Sequence, residues 1–554
     1  MALVLSGALS ARGADSSRAA SEAEDTVRLE PVFVEAASLN PWMYFRVPGF
    51  EVISHCPDDF NRTYARALDR ANAAKLAVLP EDFWGKLATP MKIILYNREP
   101  GQGDGFNRAK PIDLSWLAGD EGSPQGPYSI VKSYPTVVGD GDTFINCGNY
   151  WSLLSDTKDF YLDPDSEILL RSRTPQLPVW FVAGLVGPGG LLTGRVIEPS
   201  IGGGDTVVIP AVVWGSKAAT EAILKDPKAP RTVPGLKGFF GEGAAAADPV
   251  GWNAEAGLLV RWGLFGREAD GSDHREGFLG LVRASCSGPL TEELFRSFLS
   301  RDFAQADAEL RAYVTAAVSG PVRLPLPADP SGAAEIREAT PTEVARIVGD
   351  WGRLEGKSVG IQNVAYQREC LEQADRLFER IYARQTSDPD FLAAFGLYAL
   401  QVGDMKRARE TLEDATGAGV VRPRAYVELA RIRLRDALPF AEQGIGDLGE
   451  KDYQEILRLL RAAERQMPDL LAIYQLRAHA MEHAPATPGL AEMAGLEKAV
   501  GLFPRNARLA YKIATLYKRF GYPDAASRVI SRSLAVAEDT ESRTLLGSFV
   551  SRDR

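Results

Sequence analysis

Few side chains in this sequence have the types and spacing that chemistry requires. Only 4 of the 554 residues are histidines. Two of them, His479 and His483 in the segment HAMEH, are separated by one helical turn, a spacing that places two imidazoles on one face of a helix. They fall near the end of a predicted helix, without a pair of carboxylates. We therefore interpret both as surface or packing residues.

The remaining candidate residues are less specific. His55 follows a predicted strand and His274 lies in the polar loop EADGSDHREG, so we predict a strand-end residue and a solvent-loop residue. Asp140 and Asp142, in VGDGDTF, predict a solvated turn, because a calcium loop would need twelve residues ending in Glu. The sequence contains no GxSxG or SxxK motif, and GQGDGFN lacks the Lys-Ser/Thr of a phosphate-binding loop.

The elements that would position these residues begin with an α+β domain, predicted over 26–320. VRLEPVFVEA, FRVPGFEVIS and MKIILYN have the composition and alternation of strands, whereas DDFNRTYARALDRANAAKLAVL has an Asp cap and helical spacing. This strand–helix–strand opening favours an α/β or α+β layer over a barrel. GWNAEAGLLVRWGLFG and TEELFRSFLSRDFAQADAELRAYV predict amphipathic helices further along the chain.

A Pro-rich segment, 321–340, predicts a linker to an all-α region at 341–554. In DPDFLAAFGLYALQVGDMKRARETLEDATGAGVVRP, Gly396 belongs to a first helix, Gly403 to a turn and Ala408 to a second helix. NARLAYKIATLYKRFGYPDAASRVISRSLAVAED follows the same scheme. These units resemble tetratricopeptide repeats, whose small residues let two antiparallel helices approach closely. The sequence therefore predicts a tetratricopeptide-like solenoid, with the number of repeats left open.

The segment SEILLRSRTPQLPVWFVAGL, from Ser166 to Leu185, resembles part of a metallopeptidase. In bacterial gluzincin-type domains, which are often fused to tetratricopeptide repeats, a helix with HExxH leads to a segment close to LPxWLxEGLAEY. The LPVW and GL of this chain match that second segment. The resemblance covers most of residues 27–314, and extends to uncharacterised bacterial proteins of the same layout.

The resemblance implies a domain whose zinc ligands have been lost. In the family, two histidines and a glutamate hold the zinc, and the Glu of HExxH takes a proton from the metal-bound water. The register that aligns Glu167 with this base places Ser166 and Leu170 at the histidine positions and Ala183 at the third-ligand position. Trp180 belongs to the retained frame. Because Leu170 and Ala183 have no donor atom, we expect apolar packing there, without metal or cofactor.

These features lead to the hypothesis of a non-catalytic scaffold, a pseudo-peptidase domain joined to a solenoid. The concave groove of the solenoid would bind a protein or peptide partner, and no contact residue can be nominated from the sequence. The alternative is an active, peptidase-like hydrolase with an unrecognised metal site or a metal-free mechanism, which requires His55, His274 and carboxylates such as Glu167 to meet in one cleft. A third possibility is an envelope assembly factor whose domains set spacing.

Composition excludes some classes of partner. The formal net charge of −10 and the absence of a dense Lys/Arg run argue against nucleic acid as the main partner. No apolar run beyond the N-terminus reaches the ~20 residues that span a membrane. The 4 cysteines are scattered without CxxC spacing, which predicts buried free thiols. No oligomeric state is predicted.

The N-terminus predicts export. MALVLSGALSARGAD has an apolar run followed by small residues, as in the apolar region and cleavage zone of a secretory signal. We predict a signal peptide and disordered spacer over 1–25, and a periplasmic or cell-envelope location. No basic residue precedes the run, which would fit a truncated signal. The alternative is a frayed tail on a cytoplasmic protein.

Overall fold

The computed structural model describes residues 41–97, 136–149, 160–161, 165–187, 191–193, 195–197, 206–212, 235–241, 249–267, 271, 273–326, 334–359, 363–438, 447–537 and 539–551. All of them belong to one unit, Pro41–Arg554. The predicted signal peptide and spacer at 1–25, and the predicted strand VRLEPVFVEA, lie outside the described residues. None of the described helices is both long and apolar enough to cross a bilayer.

Ten strands form two sheets within these ranges. They are β1 (Met43–Val47), β2 (Phe50–Ser54), β3 (Met91–Tyr96), β4 (Thr136–Gly139), β5 (Phe144–Asn149), β6 (Phe160–Tyr161), β7 (Arg195–Ile197), β8 (Thr206–Ile209), β9 (Val322–Pro325) and β10 (Arg337–Glu338). The first sheet has the order β10-β1-β2-β3-β5-β4 and the second the order β6-β7-β8-β9. β2, β3 and β5 are parallel, and the other neighbours are antiparallel.

The first part of the chain contributes eight helices to the described residues. They are α1 (Asp58–Val78), α2 (Asp165–Ser172), α3 (Val179–Val186), α4 (Leu236–Phe239), α5 (Pro249–Phe265), α6 (Arg275–Ser285), α7 (Glu292–Leu299) and α8 (Phe303–Ser319). The predicted strand–helix–strand opening is confirmed, because β2, α1 and β3 form a parallel crossover unit. The segment TEELFRSFLSRDFAQADAELRAYV forms two helices, since Ser300 ends α7 in the left-handed region (φ 55°) and Asp302 caps α8.

The second part is an array of helices. They are α9 (Pro341–Val359), α10 (Val364–Tyr382), α11 (Pro389–Val402), α12 (Met405–Gly417), α13 (Pro423–Ala437), α14 (Glu450–Glu464), α15 (Leu471–Glu482), α16 (Leu490–Leu502), α17 (Ala507–Arg519), α18 (Pro523–Val536) and α19 (Thr540–Ser551). α9 packs with α10, α11 with α12, α13 with α14, α15 with α16, and α17 with α18. The predicted all-α region of helix pairs is therefore confirmed.

The small residues predicted to allow close helix packing do so. A Cβ added to Gly396 in α11 would lie 2.7 Å from side-chain atoms of Thr411 and Leu412 in α12. Gly403 joins the two helices with φ +89°, a conformation that glycine adopts without steric cost. Ala408 is fully buried on α12.

The first sheet is a layer between α1 and α9. Successive side chains of a strand point to opposite faces. On β3, Ile93 and Leu95 accordingly join a core with Leu68 of α1, whereas Ile94 joins a core with Trp351 of α9. The first helix of the array thus covers one face of the sheet.

The segment predicted to be a linker, 321–340, contributes to both sheets. β9 pairs with β8 in the second sheet, and β10 pairs with β1 in the first. Residues 327–333 between them lie outside the described ranges. The chain therefore adds a strand to each sheet before it enters α9.

Candidate functional site

The positions that the peptidase resemblance would align with zinc ligands lie on two short, neighbouring helices. Ser166, Glu167 and Leu170 are on α2, and Trp180 and Ala183 are on α3. Leu170 is fully buried, and Trp180 and Ala183 are each 6% exposed, all in the same apolar core. The predicted apolar packing at Leu170 and Ala183 is confirmed.

The glutamate of this segment is paired within its own helix. Glu167 is 2% exposed, and its Oε1 accepts a hydrogen bond of 2.7 Å from Nε of Arg171, one turn further along α2. Ser166 is also buried. A buried carboxylate needs a cation or hydrogen-bond donors to offset its loss of hydration, and Arg171 supplies both.

The glycine of the matching LPVW…GL segment has a packing role. A Cβ added to Gly184 would lie 2.4 Å from the carbonyl oxygen of Ala256 and 2.5 Å from Val260 Cγ2, both on α5. Only glycine lets α3 and α5 approach this closely. Packing alone therefore accounts for Gly184.

The histidines of the N-terminal part occupy separate environments. His55 follows β2, as predicted, and its ring stacks on Trp42 with centroids 3.5 Å apart. The prediction for His274 is wrong: it is 6% exposed, immediately precedes α6 and packs its ring 4.5 Å from that of Trp262. Among the described residues, the groups of side chains spaced to hold a metal ion include neither of these histidines, nor Glu167.

The four cysteines are buried free thiols, as predicted: Cys56, Cys147, Cys286 and Cys370. Burial raises the pKa of Cys56 to about 12. A thiol with so high a pKa carries almost no thiolate at neutral pH, and is a poor nucleophile and a poor metal ligand.

A group of six buried charges lies where the first sheet meets the helical array, and the sequence did not predict it. We call it the junction cluster; its members are Lys92, Asp140, Asp142, Asp350, Arg353 and Arg422, each less than 9% exposed. The prediction of a solvated turn at Asp140 and Asp142 is therefore wrong. These two aspartates lie between β4 and β5, whereas Arg422 immediately precedes α13.

Asp350 of α9 is the centre of the junction cluster. It accepts hydrogen bonds from Arg353 (2.7 Å) and Arg422 (2.8 Å), and Lys92 Nζ of β3 lies 3.8 Å away. Arg353 also donates to Asp140 at 2.6 Å. Burial alone would raise the pKa of Asp350, but these cations outweigh it and hold the pKa below its usual range. The cluster binds β3, α9 and the start of α13 to one another.

Asp142 behaves differently from its neighbours. Its Oδ2 accepts from the backbone N–H of Arg424 at 2.6 Å, whereas the guanidinium of Arg422 lies 3.9 Å from its Oδ1. Burial, and then the negative charge of Asp140, raise the pKa of Asp142 to about 6. Asp140 shows the opposite shift: burial opposes ionisation, but Arg353 and Arg422 keep its pKa low.

Further contacts attach the array to the N-terminal part at connections between helix pairs. Arg505, before α17, donates to the carbonyl oxygens of Ser285 (2.8 Å), Cys286 (3.3 Å) and Gln176 (3.3 Å). Thr174 donates to Asp469, before α15, at 3.1 Å. Together with the junction cluster, these bonds reach three connections between successive helix pairs of the array: α12–α13, α14–α15 and α16–α17.

An open groove of about 500 Å³ runs along α10. Its lining combines apolar and charged side chains of both signs: Val364, Gln367, Arg368, Leu371, Glu372, Asp375, Arg376 and Tyr398. The Tyr398 hydroxyl, from α11, donates to Asp375 Oδ1 (3.0 Å) and lies 3.2 Å from the Leu371 carbonyl oxygen, which fixes the base of the groove. Val364 is 54% exposed.

The neighbouring helix, α11, exposes little surface to solvent. Every residue of α11 from Phe391 to Ala399 is buried. By contrast, the buried positions of α10 recur every three or four residues, which leaves its other side exposed. The accessible side chains therefore lie on α10, not along the middle of α11.

The fold defines a class of protein in which an α+β region shares its core with an array of helix pairs. No protein-family model matches the chain, and a search of curated proteins also gave no match. Similar solved structures include a MamA protein, 15% identical over 35% of this chain and 91% of that chain, with a TM-score of 0.25.

Two further solved structures are similar to about a third of the chain. Residues 41 to the end of MamA from Desulfovibrio magneticus RS-1 are 16% identical, over 34% of this chain and 94% of that one, with a TM-score of 0.25. TTC0263, a thermophilic TPR protein in Thermus thermophilus, is 20% identical, over 36% of this chain and 97% of that one, with a TM-score of 0.23. Because these TM-scores are low, the helix-pair contacts within this chain alone establish its architecture.

Proposed function

We propose that this protein is a non-catalytic scaffold that binds an extended peptide segment of a partner protein in the α10 groove. The observation that carries the proposal is the groove itself, whose lining places Val364 and Leu371 among arginines and acids, above the buried Tyr398. Apolar pockets provide affinity for a peptide, and flanking charges fix its direction. The expected ligand has an apolar anchor residue with charged neighbours.

The rigid attachment of the array supports a scaffold role. Binding costs less conformational entropy when the surface that receives the partner is already fixed. α10 packs on α9, and α9 is joined to the first sheet through the junction cluster. The groove is therefore held in place by the N-terminal part.

The non-catalytic part of the proposal rests on the packing of α2 and α3. Leu170 and Ala183 occupy the positions where a gluzincin would carry ligands, and both are buried among apolar side chains. The same proposal includes a pseudo-peptidase ancestry for this region and export of the protein to the cell envelope. The alternative hydrolase gains no support from the described residues, because His274 packs on Trp262 and Glu167 pairs with Arg171.

The first test is selection of peptides from a displayed random library on the purified full-length chain. The groove variant combines Val364→Asp with Leu371→Asp, both at positions that are not fully buried. The matched control is Leu490→Asp, an exposed leucine (61%) on α16. We expect selected peptides to bind the wild type and the control, and to lose at least about tenfold in affinity for the groove variant.

Binding that survives in the groove variant would contradict the groove assignment, as would the failure of selection to yield any binder. A library of fluorogenic peptides tests the non-catalytic part separately. We expect no turnover by the wild type above the background of a Glu167→Gln variant. Turnover that this variant loses would overturn the non-catalytic assignment and leave the groove assignment to be judged by its own test.

A further inference from the structure

The end of α15 holds a cluster of side chains that could ligate a metal. His479 and Glu482 lie in the last turn of α15, and His483 is the next residue. One ligand atom from each of the three lies within 4.8 Å of the others, the only such group among the residues that the structure describes. His479 Nδ1 lies 3.3 Å from Glu482 Oε2, and the two imidazole rings are nearly perpendicular, with centroids 5.2 Å apart.

We propose that His479, Glu482 and His483 form a binding site for a divalent transition-metal ion such as Zn²⁺. Ligand atoms about 2.0–2.1 Å from a tetrahedral ion are about 3.3 Å from one another, so the His479–Glu482 separation already suits coordination. The wider separations, all within 4.8 Å, would close to this value by rotation of the side chains. This site lies on other helices than the α10 groove and is independent of the proposed function.

The donor set favours a transition metal over Mg²⁺ or Ca²⁺. Two imidazoles with one carboxylate suit zinc, copper, nickel or cobalt, whereas magnesium and calcium prefer oxygen ligands alone. The C-terminal end of α15 also carries partial negative charge, which favours a cation.

The site is accessible to solvent. The side chains of His479 and Glu482 are 36% and 38% exposed, while His483 is buried against the array. An ion can therefore enter from solvent, and water can complete its coordination. The backbone around it is fixed: Leu448 N–H donates to the carbonyl oxygen of His483 (2.8 Å), and Arg519 donates to that of Glu482 (2.9 Å).

One neighbouring cation competes with a metal at this site. Lys512 Nζ of α17 lies 3.1 Å from Glu482 Oε2. A bound metal would displace this ammonium, which is 37% exposed and can turn toward solvent. Removing the Lys512 charge should therefore strengthen metal binding, an effect that a purely structural His–Glu–Lys cluster would not show.

The spacing within HAMEH carried this signal in the sequence. The carboxylate, Glu482, lies between the two histidines and directly before the second. A single acid in this position completes a set of three ligands, and a separate pair of carboxylates is not needed. The order His-x-x-Glu-His places His479 and Glu482 in the last turn of α15 and His483 directly after it.

The test is zinc titration of the full-length protein after dialysis against a chelator, followed by calorimetry and by elemental mass spectrometry. We expect one zinc ion per chain with a dissociation constant at or below about 10 μM, and a rise in melting temperature when zinc is added. His479→Ala should weaken binding at least tenfold, and Lys512→Met should strengthen it at least threefold. His55→Ala is the control and should leave binding unchanged.

Circular dichroism of each variant separates loss of ligands from loss of fold. Failure of the wild type to bind zinc at 100-fold excess would overturn the proposal. Binding that His479→Ala leaves intact would also overturn it, and so would an affinity that is unchanged in Lys512→Met.

Discussion

The junction cluster and the segment Ser166–Leu185 bury polar groups in opposite ways. At the junction, three carboxylates meet three cations drawn from β3, the β4–β5 connection, α9 and the start of α13. In the segment, Glu167 pairs with a residue of its own helix, and Leu170 and Ala183 fill the surrounding space. The junction joins parts of the chain that are distant in sequence, whereas the segment packs two successive helices. The buried charges of the junction thus mark attachment between parts of the molecule, and the segment Ser166–Leu185 forms part of an apolar core.

The largest effect is expected at the centre of the junction. Asp350→Asn removes the charge that neutralises Arg353, Arg422 and Lys92, and leaves these cations buried with too few anions. Loss of one partner from a buried ionic group costs about 3–5 kcal/mol of the free energy of unfolding. Urea denaturation followed by circular dichroism measures the free energy of unfolding of Asp350→Asn and of the wild type.

The matched control for this prediction is Asp414→Asn, which changes an exposed aspartate of α12. We expect it to change the free energy of unfolding by less than about 0.5 kcal/mol. A loss of under about 1 kcal/mol for Asp350→Asn would show that the junction does not depend on its charges.

The next largest effect is expected in the segment, where stability comes from apolar packing. Leu170→Ala should lower the free energy of unfolding by about 2–5 kcal/mol, because it leaves a cavity in a fully buried core. Leu170→Met keeps the volume and should cost less than about 1.5 kcal/mol. Equal stability of Leu170→Ala and the wild type would mean that this position is not part of a close-packed core.

The local sequence pattern predicted the helices and strands around both the junction cluster and the segment Ser166–Leu185. It predicted the apolar packing of the segment, but not the junction cluster. Periodicity along the chain predicted α1, β3 and α5, and the absence of donor atoms predicted the packing of Leu170 and Ala183. The junction left no local trace, because its residues come from widely separated positions, 92, 140, 350 and 422. Glycine and aspartate alternate in VGDGDTF as they do in an exposed turn, but in the fold Arg353 of α9 and the backbone N–H of Arg424 in α13 bind the aspartates of this turn.

A related limit applies to the surface. The repeat pattern predicted Tyr398 in the first helix of a pair, but it did not predict that Asp375 and Leu371 would meet its hydroxyl and form the base of a groove. Those contacts depend on how α10 lies against α11. An amphipathic pattern predicts which side of a helix is exposed. It does not predict whether that side forms a groove with the neighbouring helix.

The third prediction concerns the pH dependence of stability, which should distinguish Asp142 from the other members of the junction cluster. The pKa of Asp142 in the folded protein, about 6, lies above its ordinary value of 3.8. Its contribution to stability is therefore fully present below pH 4 and is lost as pH rises through 6. Asp142→Asn has no charge to bury and can still accept the hydrogen bond from Arg424 N–H. It should raise the free energy of unfolding at pH 7.5 by up to about 3 kcal/mol.

Urea denaturation from pH 4 to pH 7.5 measures this effect. We expect the stability of the wild type to decline between pH 4 and 6, the profile of Asp142→Asn to lack this decline, and that of Asp414→Asn to retain it. A variant that is less stable than the wild type at pH 7.5 would show that the Asp142 charge supports the junction, as that of Asp350 does.

The smallest effect is expected for Glu167→Gln, the change that compares the two regions most directly. Glu167 is as deeply buried as Asp142, but its partner Arg171 is 18% exposed and keeps access to water when the carboxylate is removed. The glutamine oxygen can still accept from Arg171 Nε, so we expect a loss of about 1 kcal/mol by urea denaturation. A loss of 3 kcal/mol or more would place Glu167 with Asp350, as a charge on which several distant elements depend. A small loss of the free energy of unfolding in Glu167→Gln is what distinguishes the segment from the junction. This is because the Glu167 carboxylate pairs with Arg171 of its own helix, whereas the carboxylates of the junction pair with distant parts of the chain.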